Sequence, residues 1–162
     1  MGGDLSIRPY RPADEERLWG VHEAALTAVD AMADPEGVDG GAATDPQAHA
    51  RESRRLAAEG VYLVGELDGE LVAGGALDPG DGETAELTRM RVAPAHWRKG
   101  FGQALLEALE AAAADRGLAL LYLETLARQT AARALYEANG YAEVDSQTVG
   151  EYDVRRYEKR LG

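Results

Sequence analysis

A strand, a glycine-containing turn, a helix and a second strand follow one another between residues 85 and 125, and this order constrains the fold more than any other feature. Residues 85–92 are β-prone and end before Pro94. Residues 100–116 have apolar side chains at helical spacing, and 118–125 form a continuous apolar run typical of a buried strand. Two strands joined through a helix run in the same direction, so the sequence predicts a parallel strand pair.

The rest of the chain predicts a mixed α/β domain built on one sheet. Asp68-Gly69, between two apolar runs, is typical of a hairpin turn and predicts an antiparallel pair. Asp45 followed by Pro46 predicts the start of a helix. Further strands are predicted at residues 5–8, 61–67, 70–77, 141–149 and 152–161, and further helices at about 12–32, 46–59 and 130–139. No linker divides residues 1–162, which predicts a single domain.

Composition excludes several classes of protein. No apolar run approaches the ~20 residues that a membrane-spanning helix needs, so no membrane partner is predicted. The chain has no cysteine, which excludes disulfides and cysteine-ligated metal centres. Its three histidines lack the paired spacing of a metal site, so no metal is predicted. Nothing at the start resembles a secretion signal, and the cytoplasm is the expected location.

The charge is strongly negative, with 29 acidic residues against 17 basic ones and a formal net charge of -12. Only Lys99 and Lys159 are lysines. Such a surface disfavours nucleic acid as a partner. Two explanations of the acidity stay open: the acids attract cationic substrates, or the whole surface is of halophilic type and adapted to high intracellular salt. The second is favoured because the acids are spread along the chain.

One stretch departs from this acidity. Residues 87–106 contain no Asp or Glu, and Gly100 and Gly102 lie where this stretch opens the predicted helix. Backbone N–H groups at a helix N-terminus attract anions, so the sequence predicts a pyrophosphate-binding turn. A tight turn with close helix packing is the alternative, and the P-loop and GxGxxG patterns are both absent. The cations of the stretch are Arg89, Arg91, Arg98 and Lys99.

Two segments resemble the motifs of the GNAT acyltransferases, the Gcn5-related N-acetyltransferases. The first, with the V-x-P strand end and the turn of the acyl-CoA motif, is ELTRMRVAPAHWRKGFGQALL. The second, with the A-x-x-L-Y-x-x-x-G-[FY] ending, is LETLARQTAARALYEANGY. Together they cover residues 86–141. The resemblance implies the family's fold, a central and mostly antiparallel sheet of about seven strands with one parallel pair, flanked by about four helices.

The resemblance also implies an acetyl-CoA site. Met90 and Val92 would pair their backbone with the pantetheine arm, as an added strand would. Two positions depart from the family pattern. Trp97 stands where Gln or Arg is usual, and Gln129 stands where Asn is frequent, although the longer amide can make the same hydrogen bonds. The residues implied to hold the cofactor are Met90, Val92, Arg98, Lys99, Gly100, Phe101, Gly102, Gln103 and Gln129.

Tyr136 is the residue that the resemblance places near the sulfur of the thioester. There it would donate a hydrogen bond to the leaving thiolate, and the alternative is a helix tyrosine that packs on the sheet. A primary amine with a pKa of ~10.4 must also lose a proton before it attacks. No cysteine is present to form an acyl-enzyme, so direct attack by the amine in a ternary complex is predicted.

Glu86 is the predicted proton acceptor. On an alternating strand it shares a face with Thr88, Met90 and Val92, which places it along the line of the thioester. A surface glutamate paired with a neighbouring arginine is the alternative for this residue. Glu124, at the end of the next predicted strand, is the alternative base.

These implications predict an N-acetyltransferase that moves an acetyl group from acetyl-CoA to the primary amine of a small molecule or peptide. Trp19, His22 and Glu23 are candidate acceptor contacts, because in the family the first two helices border the acceptor site. A noncatalytic acyl-CoA-binding or regulatory domain and a protein acetyltransferase acting on lysines or N-termini are the alternatives. The sequence leaves a monomer and a homodimer both open.

Overall fold

A seven-stranded sheet in the order β1-β2-β3-β4-β5-β7-β6 forms the centre of the computed structural model, which describes residues 4–28 and 45–161. No helix in these ranges is long and apolar enough to cross a membrane. The strands are β1 (Ser6–Pro9), β2 (Val61–Leu67), β3 (Glu70–Pro79), β4 (Thr84–Val92), β5 (Leu120–Leu126), β6 (Ala142–Val149) and β7 (Tyr152–Arg160). The helices are α1 (Glu15–Ala28), α2 (Pro46–Glu59), α3 (Phe101–Asp115) and α4 (Thr130–Ala138).

The pairing of the strands confirms the predicted fold class. β4 and β5 pair in parallel, and every other pair in the sheet is antiparallel. The Asp68-Gly69 hairpin is confirmed, with positive φ angles of 53° and 82° at these residues. Asp45 caps α2 by accepting a hydrogen bond from the backbone N–H of Gln47 at 2.9 Å. The predicted end of the first helix, at about residue 32, lies outside the described residues.

The two larger apolar cores of the described residues lie on opposite faces of the sheet. On one face, α1 and α2 pack against β2 and β3 through a cluster that includes Leu18, Leu56 and Tyr62. On the other face, α3 packs against the sheet through Leu105, Leu109 and their neighbours. The sheet is therefore buried on both faces around β3 and β4, and a functional group on β4 is directed either towards α1 and α2 or towards α3.

A β-bulge in β4 decides which side chains lie on which face. Gly74 pairs with Arg91 and Ala76 with Thr88, so two residues of β4, Arg89 and Met90, lie opposite Gly75. Arg89 takes a left-handed conformation with φ 61°. The extra residue interrupts the alternation of the strand, and side chains beyond it move to the opposite face from the one that strict alternation predicts.

The bulge makes one expectation wrong: Glu86 does not share a face with Met90 and Val92. Met90 and Val92 pack against the core beneath α3, together with Leu87. Glu86 alternates with Leu87 and lies opposite Asp78, whose carboxylate is bound by Arg55 of α2. Glu86 therefore lies on the face that carries α1 and α2.

A cleft opens between β4 and β5. The two strands pair only over Thr84–Glu86 and Leu120–Tyr122, and then diverge. β4 remains paired with β3 on its far side, and β5 remains paired with β7. Each strand thus presents one backbone edge to the cleft, and an extended ligand could pair with that edge as an additional strand does.

Candidate active site

The turn between β4 and α3 forms the end of the cleft. Gly100, with φ 82°, is the N-cap of α3, and Arg98 before it has φ 65°. The first hydrogen bond of the helix runs from the N–H of Ala104 to the carbonyl of Gly100 at 3.0 Å. The backbone N–H groups of the first helical turn precede this bond and carry the partial positive charge of a helix N-terminus.

The surroundings of this turn fit a pyrophosphate. A Cβ atom at Gly100 would meet nothing within 4 Å, so the backbone is open to a ligand. Arg98 and Lys99 are exposed beside it. A Cβ at Gly102 would lie 3.5 Å from Leu135 and 3.9 Å from Val92, so α4 and β4 lie close behind that glycine. The turn thus combines anion access at one glycine with close packing at the other.

Trp97 stands at the position where Gln or Arg is usual, and its side chain makes a structural contact. Its indole Nε1 donates a hydrogen bond to the carbonyl of Val92 at 2.7 Å and ties the turn to the end of β4. The N–H of Ala93 donates to the carbonyl of Val72 at 2.8 Å. In an antiparallel ladder the preceding residue, Val92, then directs its backbone groups away from β3, so its N–H points towards the cleft while its C=O accepts from Trp97. This orientation suits the predicted pairing of Val92 with the pantetheine arm.

The side chains of Gln103 and Gln129 make structural contacts around α4. Gln103 and Asn139 form a reciprocal amide pair, with N···O distances of 2.7 and 2.8 Å, which joins α3 to α4. Oε1 of Gln129 accepts hydrogen bonds from the hydroxyl of Thr125 at 2.7 Å and the N–H of Leu126 at 3.3 Å. Both amides position α4 over the sheet, and their contacts with a cofactor stay predictions.

Tyr136 is buried, with 7% of its surface exposed, and its ring lies 5.7 Å from that of Tyr141. Burial raises the pKa of Tyr136 to about 12, and the positive charge of Arg91 on β4 opposes this rise. The phenol is therefore protonated at neutral pH and able to donate a hydrogen bond. Full proton transfer to a thiolate with a pKa near 8.5 would be uphill by about 5 kcal/mol, so the structure favours hydrogen bonding over transfer.

Two carboxylates flank Tyr122 where β4 and β5 begin to diverge. Glu86 lies opposite Tyr122 and is half-buried, whereas Glu124 is exposed two residues further along β5. The guanidinium of Arg156 lies 4.1 Å from the centre of the Tyr122 ring. Burial raises the pKa of Tyr122, and Glu86 raises it further. Both predicted candidates for the base therefore lie in one region on the face that carries α1 and α2.

A pocket between α1, α2 and the sheet was not predicted. His49 of α2 and His22 of α1 are both 2% exposed, with ring centres 4.8 Å apart. Nδ1 of His49 lies 2.6 Å from Oε2 of Glu15. Burial opposes ionisation of Glu15, but hydrogen bonds from His49, Ser53 and its other neighbours lower the pKa of its carboxyl group. The residues that line the pocket are Leu18, His22, His49, Tyr62, Arg89 and Arg91.

Only some of the residues in this pocket could be predicted from the sequence. His22, a candidate acceptor contact, lies in it, and the Trp19 ring is tilted against that of His22 at 5.4 Å and edge-on to that of His49 at 5.2 Å. Glu23 is exposed. The contact between His49 and Glu15 joins residues 34 positions apart and has no local signature. Among residues 4–28 and 45–161, no group of three His, Asp or Glu side chains is placed to hold a metal ion.

The curated proteins that this chain resembles are named as N-acetyltransferases. The uncharacterized N-acetyltransferase YjgM of Escherichia coli K12 is 36% identical over 87 residues, which cover 52% of each chain. The [ribosomal protein bS18]-alanine N-acetyltransferase of the same strain is 44% identical over 61 residues, 38% of this chain and 41% of that protein. The matches thus span about half or less of these curated relatives.

The fold and the family follow from two further matches. The PaiA N-acetyltransferase of Thermoplasma acidophilum, solved in complex with coenzyme A, has a TM-score of 0.82 at 21% identity, with 98% of this chain and 100% of that chain covered. This likeness shows a shared fold. The model of the acetyltransferase (GNAT) family matches residues 27–141, which include the cleft, the turn and Tyr136. The chain therefore belongs to the GNAT acetyltransferase family.

Proposed function

We propose that this protein is a single-domain N-acetyltransferase that moves an acetyl group from acetyl-CoA to a primary amine by direct attack in a ternary complex. The observation that carries the proposal is the cleft between β4 and β5, which leads to the N-terminus of α3. Tyr136 belongs to α4, which follows β5, and it lies within reach of the charge of Arg91 on β4. The Tyr136 side chain packs in the same apolar cluster as Leu87 of β4 and Leu123 of β5, close to both diverging strands.

Acetyl-CoA supplies the acetyl group as a reactive thioester. The N–H groups of Phe101, Gly102 and Gln103 would hold its pyrophosphate, with Arg98 and Lys99 adding positive charge. The backbone of Val92 and Met90 would hold the pantetheine arm along β4. Tyr136 would donate a hydrogen bond to the sulfur as negative charge develops there.

The acceptor must reach the cleft as a neutral amine. An alkylammonium with a pKa of ~10.4 is about 0.04% neutral at pH 7, so a proton acceptor increases the reactive fraction. Glu86 is better suited than Glu124, because it lies opposite Tyr122 where the two strands begin to diverge and is the more buried of the two. The proton would pass from the amine to Glu86 directly or through a water molecule.

Substitution of the two glutamates tests this role. Glu86→Gln is expected to lower kcat/KM about 100-fold, because the carboxylate that accepts the proton is lost. Glu124→Gln is the matched control on the same face and is expected to change kcat/KM less than about threefold. A large loss in Glu124→Gln alone would move the role to that residue, and small effects in both would exclude a carboxylate base.

Release of free CoA from acetyl-CoA in the presence of a broad set of amines tests the function itself. We expect turnover with at least one primary amine and a mass increase of one acetyl group in that amine. Tight acetyl-CoA binding without turnover would instead support the noncatalytic acyl-CoA-binding domain. Cytoplasmic location and the choice between monomer and homodimer stay predictions.

Protein acetylation is a second candidate, favoured by the 44% identity to the bS18-alanine enzyme. The name of that relative gives a ribosomal protein as its acceptor. Mass spectrometry of acetylated N-termini and lysines in a deletion strain would show a lost modification if this chain acts on a protein. An unchanged set of acetylated proteins, with turnover of small amines, would exclude it.

A further inference from the structure

Helix α4, which carries Tyr136, has little apolar packing of its own. Of its 9 residues, all of them within the described part of the chain, only Tyr136 is buried. Ala132 and Leu135 are partly buried against the same apolar cluster. A helix this short is marginal in isolation and is held in a protein by tertiary contacts. The position of α4, and with it the direction of the Tyr136 phenol, therefore depends on its polar contacts.

The hydroxyl of Tyr157 on β7 makes two of these polar contacts. Nε of Arg133 donates a hydrogen bond to this hydroxyl at 3.0 Å, and the hydroxyl donates to Oε2 of Glu137 at 2.7 Å. Tyr157 is 0% exposed, and its ring belongs to the same apolar core as Tyr136. Burial raises the pKa of Tyr157, so the hydroxyl keeps the proton that it donates. A fixed point of the sheet is thus joined to two successive turns of α4.

Arg133 extends this contact to the end of β5. Its Nη1 donates a hydrogen bond at 2.8 Å to the carbonyl of Ala127, the residue that follows the strand. Because the guanidinium is planar and rigid, donation from Nε to Tyr157 and from Nη1 to Ala127 fixes its direction. Arg133 therefore holds α4 against both β5 and β7.

A second contact lies on the other side of Tyr136. Three residues turn an α-helix by ~300°, so Tyr136 lies ~60° from Arg133 about the helix axis, and Asn139 lies ~60° beyond Tyr136. Asn139, the C-cap of α4, is bound to α3 through its reciprocal amide pair with Gln103. Rotation of α4 in either direction would stretch the hydrogen bonds on one of these two sides. The side chain between them, Tyr136, is the one whose direction they fix.

We propose that the hydroxyl of Tyr157, through Arg133 and Glu137, holds α4 in the rotation that directs the Tyr136 phenol at the thioester sulfur. Tyr157 is then a positioning residue, because the hydrogen bonds of its hydroxyl go to α4 and it acts on turnover through Tyr136. In its effect on turnover this inference rests on the proposed acetyltransferase function. Its effect on Tyr136 itself is measurable without any reaction.

Substitution of Tyr157 by phenylalanine tests the effect on turnover. Tyr157→Phe keeps the buried ring and removes the hydroxyl, and we expect kcat to fall about 10-fold while the Kd of acetyl-CoA changes less than about threefold, since small misplacements of a catalytic group reduce turnover. Tyr10→Phe is the matched control, because the Tyr10 hydroxyl also donates to a carboxylate, that of Glu15 at 2.9 Å, but belongs to the core beneath α1 and α2. An unchanged kcat in Tyr157→Phe, or equal losses in both variants, would overturn the proposal.

A double-substitution cycle separates positioning from a general loss of stability. If Tyr157 acts through the Tyr136 phenol, its hydroxyl has nothing to position once that phenol is absent. The kcat of the variant with both Tyr136→Phe and Tyr157→Phe is therefore expected to lie within about twofold of that of Tyr136→Phe alone. A further loss of about 10-fold in the double variant would show that Tyr157 acts independently of Tyr136, and would overturn the inference.

Two variants of Glu137 test the acceptor of the Tyr157 hydrogen bond. Glu137→Gln keeps a side-chain oxygen that accepts this bond, and we expect it to keep kcat within about threefold of the unsubstituted protein. Glu137→Met keeps an unbranched side chain of good helix propensity but has no such oxygen, so it is expected to lower kcat in the same direction as Tyr157→Phe. Equal kcat values in the two Glu137 variants would contradict the proposed contact.

Nuclear magnetic resonance separates this inference from the proposed function. In protein with isotope-labelled tyrosine rings, the signal of Tyr136 is assigned by its absence in Tyr136→Phe. This signal reports the orientation of the ring, because the ring centre of Tyr141 lies 5.7 Å away. We expect it to shift or broaden in Tyr157→Phe and to stay in place in Tyr10→Phe. Displacement of Tyr136 would support the positioning of α4 even if no amine were acetylated, whereas an unmoved signal would overturn the inference, whatever amines are turned over.

Discussion

Replacement of Tyr136 by phenylalanine is expected to lower kcat about 100- to 1,000-fold while the Kd of acetyl-CoA changes less than about threefold. The substitution removes only the hydroxyl group of a side chain that is 7% exposed, so the packing of the ring is kept. The lost hydrogen bond forms as charge develops on the sulfur, and its effect therefore falls on turnover more than on binding. Steady-state CoA release and calorimetric titration with acetyl-CoA measure the two quantities.

Tyr141→Phe is the matched control for this substitution. Its ring lies next to that of Tyr136, but its hydroxyl donates a hydrogen bond to Glu110 at 2.8 Å instead of facing the reacting groups. We expect a small loss of stability and a nearly unchanged kcat.

Because burial raises the pKa of Tyr136 to about 12, the pH–rate profile should also show no loss of activity from its ionisation below about pH 10. Unchanged turnover in Tyr136→Phe would remove this residue from the mechanism.

Replacement of Asp14 by asparagine is expected to lower the free energy of unfolding by about 3 kcal/mol. The Asp14 side chain is 1% exposed and accepts two hydrogen bonds from the guanidinium of Arg8, both at 2.8 Å. It also accepts from the N–H of Arg11 at 2.8 Å and from Arg17 at 3.1 Å. Asparagine presents an N–H₂ group to these donors in place of one oxygen. Urea denaturation at pH 7 measures the difference.

The same carboxylate predicts a dependence of stability on pH. Hydrogen bonds from Arg8 hold the pKa of Asp14 well below its usual range, so its contribution is present above the unfolded-state pKa of ~3.9 and is lost as the pH falls towards the folded-state value. Unsubstituted protein should therefore lose stability below about pH 4 more steeply than Asp14→Asn. Asp153→Asn, at an exposed ion pair with Arg155, is the control and should differ little. Parallel curves for Asp14→Asn and the unsubstituted protein would contradict the assignment.

Elements with a local chemical signal were predictable from the sequence. The Asp68-Gly69 turn, the Asp45 cap and the glycine N-cap of α3 depend on the conformational range or hydrogen bonding of single residues. The parallel pair of β4 and β5 follows from a strand–helix–strand order that admits one direction. These features need no knowledge of distant parts of the chain.

Features that depend on pairing across the sheet were not predictable in this way. The bulge at Arg89 and Met90 arises from the register with Gly75 of β3, and strict alternation placed Glu86 on the wrong face relative to Met90. Likewise, the indole of Trp97 reaches back to Val92, a contact that the usual Gln or Arg of this position did not suggest. A single inserted residue reverses the direction of the side chains beyond it, and no local pattern in residues 84–92 marks where it occurs.

The sequence by itself determined the order of strands and helices, the glycine turn that begins α3 and the family, because these are encoded in short runs of neighbouring residues. Only the tertiary structure decided that Arg89 and Arg91 lie with His22 and His49 in a pocket beside the cleft. The reason is physical: that pocket is built from two helices and a strand whose contacts are set by sheet register and burial, which bring together residues from 18 to 91. The turn at the start of α3 is thus local in the chain, whereas the cluster between the two helices and β4 is a product of the fold.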